Sequence, residues 1–169
     1  MSGYHPRRHN REIKDSDEIK RLLKSGKYAV IAMAKENEPY IVTLSYGYDE
    51  VNKCLYFHCA LKGQKIDFIK INPEICATII EDYGYQKDQC EHAYSSLILR
   101  GDISIVKDLN EKKYGLEILL NHLEDNPAPI MKRNIKNDES YDKVTILRLK
   151  IADIVGKKYK DIDTNILRK

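Results

Sequence analysis

The segment 39–73 constrains the fold more than any other part of this 169-residue chain. Over 40–48, large side chains alternate with smaller or polar ones, which is the period of a β-strand with one buried face. The turn-like residues 49–53 follow, and a second alternating stretch covers 55–60. A connection of about five residues suits a hairpin, so the segment predicts two neighbouring antiparallel strands.

The second of these strands leads into a glycine and a short predicted helix over 63–71. A helix N-terminus presents free N–H groups and the positive end of the helix dipole, and a lysine adds a full charge. Gly63 and Lys65 therefore predict a phosphate site beside the sheet, with Lys62 as a second candidate cation. The alternative is that these lysines only face solvent.

The other periodic stretches predict a mainly β protein. A loop is expected over 83–92 and an irregular connection over 124–137, and Gly156 is expected to end the last strand. Six strands in short-turn succession favour a six-stranded antiparallel β-barrel with peripheral helices. Strands are predicted at 28–34, 40–48, 55–60, 75–81, 94–106 and 144–155, and helices at 16–25, 63–71 and 109–122. Asp15 and Asp108 are the predicted N-terminal caps of the first and last of these helices, and the turn-like KENE at 35–38 separates the first two strands.

Length and composition indicate one ordinary globular domain over 1–169. Charged residues make up 33% and hydrophobic residues 42% of the chain, and the net charge is +3. A basic N-terminal arm covers 1–11 and a lysine-rich tail covers 157–169. No basic stripe interleaved with aromatic residues is present, so no nucleic-acid partner is expected. No apolar run approaches a membrane span of about 20 residues and no signal peptide opens the chain, so we expect a cytoplasmic protein without a membrane partner.

The four cysteines form no CxxC pair. Cys54, Cys59, Cys76 and Cys90 are predicted to be reduced, mostly buried small hydrophobic residues. A zinc site is the alternative, supported only by the run 90–92, Cys-Glu-His, whose spacing is not usual for zinc. We therefore expect no bound metal.

Five stretches, by their order and separation, resemble the FMN-binding split barrel of pyridoxamine 5′-phosphate oxidase-like proteins. They are REI at Arg11, PYIVTLSYGYD, LYFHCALKGQKIDFIKINP, YSSLILRGDISIV and IADIVGKK, and they span roughly residues 8–160. Within that family, the chain is most similar to the nitroimidazole-resistance-type group. The resemblance implies a homodimer with FMN at the interface. It also implies an oxidoreductase that reduces a small, aromatic or nitro substrate.

A non-catalytic protein on the same barrel is the alternative function. Related split barrels bind haem or a deazaflavin, and a fold does not determine function. The chain would then carry or sense flavin, deazaflavin or haem without turnover.

The resemblance also implies which residues contact the cofactor. Ser96 matches a position that reaches the flavin bound mainly by the other subunit. His58 is the candidate catalytic residue, as a hydrogen-bond donor or proton source, and the alternative is a half-buried strand histidine. The implied cofactor contacts are Ile41, Val42, Thr43 and Leu44 through their backbone, His58 and Cys59 on the next strand, the phosphate-binding residues Lys62, Gly63, Gln64 and Lys65, and Ser96.

Three positions depart from the family members that oxidise pyridoxamine phosphate. Those oxidases resemble this chain but carry cations where it has Ile41, Tyr46 and Gln64. The loss of three cations argues against a pyridoxamine phosphate substrate. It also leaves phosphate binding more dependent on Lys65 and on backbone N–H groups.

Overall fold

A computed structural model describes residues 9–159 of the chain. It contains seven strands and four α-helices within that range, with 3₁₀ turns at His9–Arg11 and Asp138–Lys143. The strands are β1 Glu12–Ile13, β2 Tyr28–Lys35, β3 Glu38–Asp49, β4 Cys54–Cys59, β5 Glu74–Gln86, β6 Glu91–Ile105 and β7 Thr145–Lys158, and the helices are α1 Ser16–Ser25, α2 Gln64–Ile71, α3 Leu109–Leu123 and α4 Ala128–Asn134.

All the strands belong to one antiparallel sheet that closes on itself. The order is β1–β7–β4–β3–β2–β5–β6, and β7 also pairs with β6. Strand β7 closes the ring because it pairs with β4 over 145–150 and with β6 over 147–158. Six strands therefore form the barrel, which confirms the predicted fold class. The two-residue β1 was not predicted and extends the sheet along one edge of β7.

The inside of the barrel is filled with side chains. Tyr46, Phe57, Leu97 and Leu99 have no exposed surface, and each comes from the inward face of its strand. The Tyr46 hydroxyl donates to the carbonyl of Leu23 at 2.8 Å, so this buried polar group is satisfied. In a barrel packed in this way, ligands bind at the outer face or at the ends.

Helices α1 and α2 cover the two ends of the barrel. The Asp15 side chain accepts a hydrogen bond from the Asp17 N–H at 2.9 Å and begins α1, as its sequence predicts. Helix α1 buries Leu22 and Leu23 against the barrel. At the other end α2 buries Phe68, whose ring centroid lies 5.1 Å from that of Tyr40.

Helix α3 packs against the outside of β3 and β4. The Asp108 side chain accepts from the Glu111 N–H at 2.8 Å, which is the N-terminal cap expected from the sequence. At Gly47 a Cβ would lie 2.5 Å from the Cα of Leu119, so the helix backbone rests directly on the strand. A second hydrophobic cluster, which includes Tyr56 and Ile146, forms beneath α3.

The prediction of a loop over 83–92 is wrong. Strand β5 continues to Gln86 and β6 begins at Glu91, so most of this stretch is a projecting β-hairpin. Tyr85 pairs with His92 across it, and the His92 Nε2 lies 2.7 Å from the Asp82 Oδ1. Local pairing of polar and aromatic residues thus extends the strands beyond the apolar core.

Two other boundaries also differ from their predictions. The connection 124–137 contains α4, because Pro127 and Pro129 lie at the start of the helix, where a missing N–H costs nothing. Strand β7 continues past Gly156, where a Cβ would lie 2.7 Å from the Cβ of Ile13. Gly156 thus allows β1 to approach rather than ending the strand.

The predicted N-terminal arm and C-terminal tail are described only in part. Residues 1–8 and 160–169 lie outside the described residues. Within 9–159, no helix has the combination of length and apolar composition needed to cross a membrane.

His122 links α3 to the end of α1. Its Nε2 lies 2.6 Å from the carbonyl oxygen of Gly26, which makes Nε2–H the donor, and its ring centroid lies 4.9 Å from that of Tyr46. Burial lowers the pKa of His122, although the hydrogen bond to Gly26 partly opposes this effect. The folded chain therefore holds this imidazole neutral.

We predict that His122 makes the chain less stable as the pH falls. Because the pKa of His122 is lowered on folding, the unfolded chain takes up the proton first, below about pH 6.5. The stability linked to His122 is fully present above that pH and is lost below it. The melting temperature should therefore drop more between about pH 7.5 and pH 5.5 for the wild type than for His122→Gln, which keeps a donor but does not titrate.

The exposed His9→Gln variant is the matched control and should follow the wild type. Equal drops in the wild type and His122→Gln would contradict the prediction.

Candidate functional site

The barrel is split along one edge of β3. Strand β2 pairs with residues 38–45 of β3, whereas β4 pairs only with residues 46–49. On the side away from β2, no strand within residues 9–159 pairs with 38–45. Backbone N–H and C=O groups along this edge need partners, so they are available to a ligand.

The alternation of β3 decides which of its predicted site residues can present a side chain. Ile41 is 65% exposed, and Thr43 lies on the same outward face. Val42 and Leu44 point inward and pack against the barrel core. These two inward residues can therefore contact a ligand only through their backbone.

The end of β4 brings the next two predicted residues to the split. His58 is exposed on the outer face, one residue beyond Phe57, which pairs with Tyr46 of β3. The half-buried environment that was the alternative for this histidine is not observed. Cys59 points inward, and burial raises the pKa of its thiol, so the sulfur stays protonated at neutral pH.

The N-terminus of α2 lies immediately after β4. Gly63 caps it with φ of 132°, a backbone conformation that favours glycine, and a Cβ there would meet open space. No side chain caps this helix end. The first hydrogen bond within the helix runs from the Ile66 N–H to the Gly63 carbonyl at 2.8 Å. The N–H groups of Gln64 and Lys65 come before it and therefore have no acceptor within the helix.

The side chains around this helix end carry mixed charge. Lys65 is half-buried, and its positive charge partly opposes the rise that burial causes in the pKa of the Cys59 thiol. Lys62 is exposed. The Gln64 Nε2 donates instead to the Glu38 Oε1 at 3.4 Å, and the other oxygen of Glu38 lies 3.4 Å from the Lys35 Nζ. Gln64 is thus directed toward the β2–β3 hairpin.

Lys35 and Glu38 were not singled out by the sequence. They pair across the hairpin at the end of β2 and the start of β3, and the Lys35 Nζ lies 5.1 Å from the centroid of the Phe68 ring in α2. The short KENE turn between two predicted strands was the signal that placed them opposite each other. It gave no sign that α2 would lie against them.

Ser96 lies on the outer face but far from the split. It pairs with Ile80 of β5 and with Lys157 of β7. The strand order β3–β2–β5–β6 separates it from the outward residues of β3 by three strand spacings, or about 14 Å. Ser96 is therefore not part of the same cluster as His58 and Lys65 within one subunit.

An apolar surface joins these two regions. Tyr28 is 53% exposed and Ile80 is 50% exposed, which is unusual for such large side chains on neighbouring strands. We call this surface the outer apolar face. It consists of Tyr28, Val30, Ile41, Thr78, Ile80, Ile98 and Val155.

The cysteines stay apart from one another. Cys54 and Cys59 are buried, Cys76 is partly buried and Cys90 is exposed at the hairpin tip, and all four are free. In the part of the chain from 9 to 159, no group of three or more His, Cys, Asp or Glu side chains is arranged to hold a metal ion.

Several solved structures share this architecture. A candidate 5-nitroimidazole antibiotic resistance protein from Bacteroides thetaiotaomicron is 22% identical, with a TM-score of 0.72 over 86% of this chain and 85% of its own. The flavocytochrome Anf3 from Azotobacter vinelandii is 16% identical, with a TM-score of 0.75 over 96% and 78%. An FAD-binding protein from Mesorhizobium loti is 20% identical, with a TM-score of 0.65 over 89% and 98%.

At these identities the structural likeness establishes the fold. No curated protein is significantly similar to the chain in sequence. The family profile described as pyridoxamine 5′-phosphate oxidase matches residues 15–158, most of the chain. The chain therefore belongs to the pyridoxamine 5′-phosphate oxidase family, and its barrel is the split barrel of that family.

Proposed function

We propose that the protein binds FMN at a homodimer interface and uses it to reduce a small, aromatic or nitro substrate. The observation that carries the proposal is the unpaired edge of β3 facing the uncapped N-terminus of α2, in a member of this family. Bound FMN supplies the electron or hydride chemistry, and the protein supplies binding, orientation and charge.

The N-terminus of α2 fits the phosphate of such a cofactor. The N–H groups of Gln64 and Lys65 and the dipole of an eight-residue helix favour an anion, and Gly63 leaves room for it to approach. Lys65 adds a full positive charge from the first turn. Because Gln64 is held by Glu38, we assign the phosphate contact chiefly to Lys65 and the backbone, with Lys62 able to reach in from solvent.

The split fits the ring of the cofactor. An isoalloxazine carries donors and acceptors along one edge, and the free backbone edge of β3 over 41–44 offers both kinds of group. The outward side chains of Ile41 and Thr43 can pack on the ring. His58, exposed on the neighbouring strand, lies where it can donate a proton to a substrate stacked on the other side.

The outer apolar face supports a homodimer. Large exposed side chains such as Ile41 and Ile80 are rarely gathered on one surface of a monomer, and a contiguous apolar patch commonly marks an interface. Ser96 lies across this face from the split. A second copy that covers the face can bring its own Ser96 to the site.

The residues argue against pyridoxamine phosphate as the substrate. Ile41 and Gln64 carry no charge, and Tyr46 is fully buried with its hydroxyl bonded to Leu23. None of the three supplies the positive charge that the corresponding residues of the oxidases acting on pyridoxamine phosphate carry. Reduction of a nitroaromatic compound is supported by the fold shared with the candidate 5-nitroimidazole resistance protein.

The direct test is to load the purified chain with FMN. We expect the protein to retain an oxidised-flavin spectrum and to have a dimer mass by light scattering. The flavin colour should disappear when the protein is reduced and should return when a nitroaromatic compound is added. A monomer at micromolar concentration that retains no flavin would overturn the proposal. A haem spectrum in the protein as purified would favour the haem-binding alternative.

We predict that Lys65→Ala weakens FMN binding without unfolding the chain. A charge-assisted contact contributes about 1.5–3 kcal/mol, so the dissociation constant should rise about 10- to 150-fold. Fluorescence titration at low salt measures it. Lys70→Ala is the matched control, because Lys70 is exposed in the last turn of the same helix. Equal affinities for both variants would remove Lys65 from the site.

We predict that His58→Ala changes the flavin and leaves the fold intact. His58 is exposed, so its truncation should change the melting temperature little, whereas a histidine at the ring should alter the flavin spectrum or its rate of reduction. His92→Ala, at another exposed histidine, is the control. A lower melting temperature with an unchanged spectrum and unchanged reduction kinetics would show that His58 has only a structural role.

A further inference from the structure

An outward-facing lysine without an acidic partner lies beside Ser96. Lys157 of β7 is the Cα partner of Ser96 in β6. Both side chains are half-buried on the outer face, because the neighbouring pair, Leu97 and Gly156, is buried on the inner one. Neighbouring strands hold such partners within about 5.5 Å at their Cα atoms, so Ser96 and Lys157 share one place on the surface.

The charge of Lys157 is not neutralised within its own subunit. Its Nζ lies 5.8 Å from the centroid of the Tyr94 ring, which holds the ammonium group on the outer face. Among residues 9–159, Lys157 has no ion pair and no side-chain hydrogen bond. The next residue, Lys158, faces the other way, and its Nζ lies 3.1 Å from the Glu18 Oε2 in α1. One of these adjacent lysines is therefore paired, and the other is available to a ligand.

The strand order decides where Lys157 lies when a second copy covers the outer apolar face. The sheet runs β3–β2–β5–β6–β7, so Lys157 is one strand spacing, about 4.8 Å, farther from β3 than Ser96. A two-fold axis that brings the partner's Ser96 to β3 must run roughly along the strands, because only this direction reverses the strand order between two facing sheets. In the reversed order, the partner's Lys157 lies one strand beyond the edge of β3, over the split.

The level of Lys157 along the strands places it near the ring of the cofactor rather than the phosphate. Ser96 and Lys157 share a row of the sheet with Ser45, at the end of the split where β4 leaves β3. An axis along the strands keeps each row at its own level. The N-terminus of α2 lies toward the opposite end of the split, beside Glu38, and the backbone of 41–44 lies between.

We infer that Lys157 of each subunit lies beside the flavin ring bound at the other subunit and favours its reduction. This inference rests on the homodimer and the FMN of the proposed function. Oxidised FMN takes up two electrons and one proton to become the reduced anion, so its ring gains a negative charge. The ammonium group, shielded from water by the covering subunit, stabilises this charge. The oxidised ring is neutral, so Lys157 contributes little to the binding of oxidised FMN.

The test is the midpoint potential of bound FMN, measured against a reference dye with dithionite as the reductant. Lys157→Gln should make the potential more negative, by an amount equivalent to an affinity for reduced FMN lower by about 10-fold or more, with the affinity for oxidised FMN unchanged. Lys157→Arg keeps the charge and should stay close to the wild type. Equal potentials for Lys157→Gln and the wild type would overturn the inference.

Lys150→Gln is the matched control for the loss of one charge. Lys150 is exposed on the same strand, but it pairs with Asp102 and lies far along β7 from the row of Ser96. The potential of this variant should equal that of the wild type. A shift as large as that of Lys157→Gln would show a general effect of net charge and would overturn the assignment to Lys157.

A heterodimer of two variants shows which subunit supplies the lysine. One chain carries Lys157→Gln and the other Lys65→Ala, each with its own affinity tag, and limiting FMN fills the site that retains Lys65. The lysine at that site then comes from the partner subunit, so we expect the wild-type potential. The potential of the Lys157→Gln homodimer would show that Lys157 acts within its own subunit, and the inference would fail. A wild type that is monomeric or retains no FMN would overturn the proposed function and this inference with it.

Discussion

The structure depends on the double pairing of β7. This strand is long enough to pair with β4 over 145–150 and with β6 over 147–158, and so it closes a six-stranded ring. Closure gives an interior packed with apolar side chains, including the fully buried Tyr46, Phe57 and Leu97. Because the interior is packed, the groups that can contact a ligand lie on the outer face, at the ends, and along the edge of β3 that the closed ring leaves unpaired.

The sequence predicts the parts of this fold that local chemistry determines. Asp15 and Asp108 cap helices at the predicted positions because a cap needs only a few neighbouring residues. Gly156 was misread because its role is set by Ile13, more than 140 positions away in the chain. The hairpin over 83–92 was missed because its strands pair outside the core, where the apolar alternation that identifies a strand is absent.

The candidate site likewise has features that the sequence predicts and features that depend on contacts between separate elements. The resemblance places Ile41, His58 and Lys65 in one region, and the structure brings them to the two sides of the split. The sequence resemblance could not show that Gln64 donates to Glu38, because that contact depends on how α2 packs against the β2–β3 hairpin. Side-chain partners that come from separate elements are the information that a single sequence lacks.

The alternation of β3 has a consequence for how this barrel can change. Val42 and Leu44 face the core, whereas Ile41 and Thr43 face outward beside the split. The two sets contact different surroundings, so they can diverge independently of each other. A lineage of such barrels can therefore acquire a different ligand through substitutions at alternate positions of one strand, while the intervening positions preserve the fold unchanged.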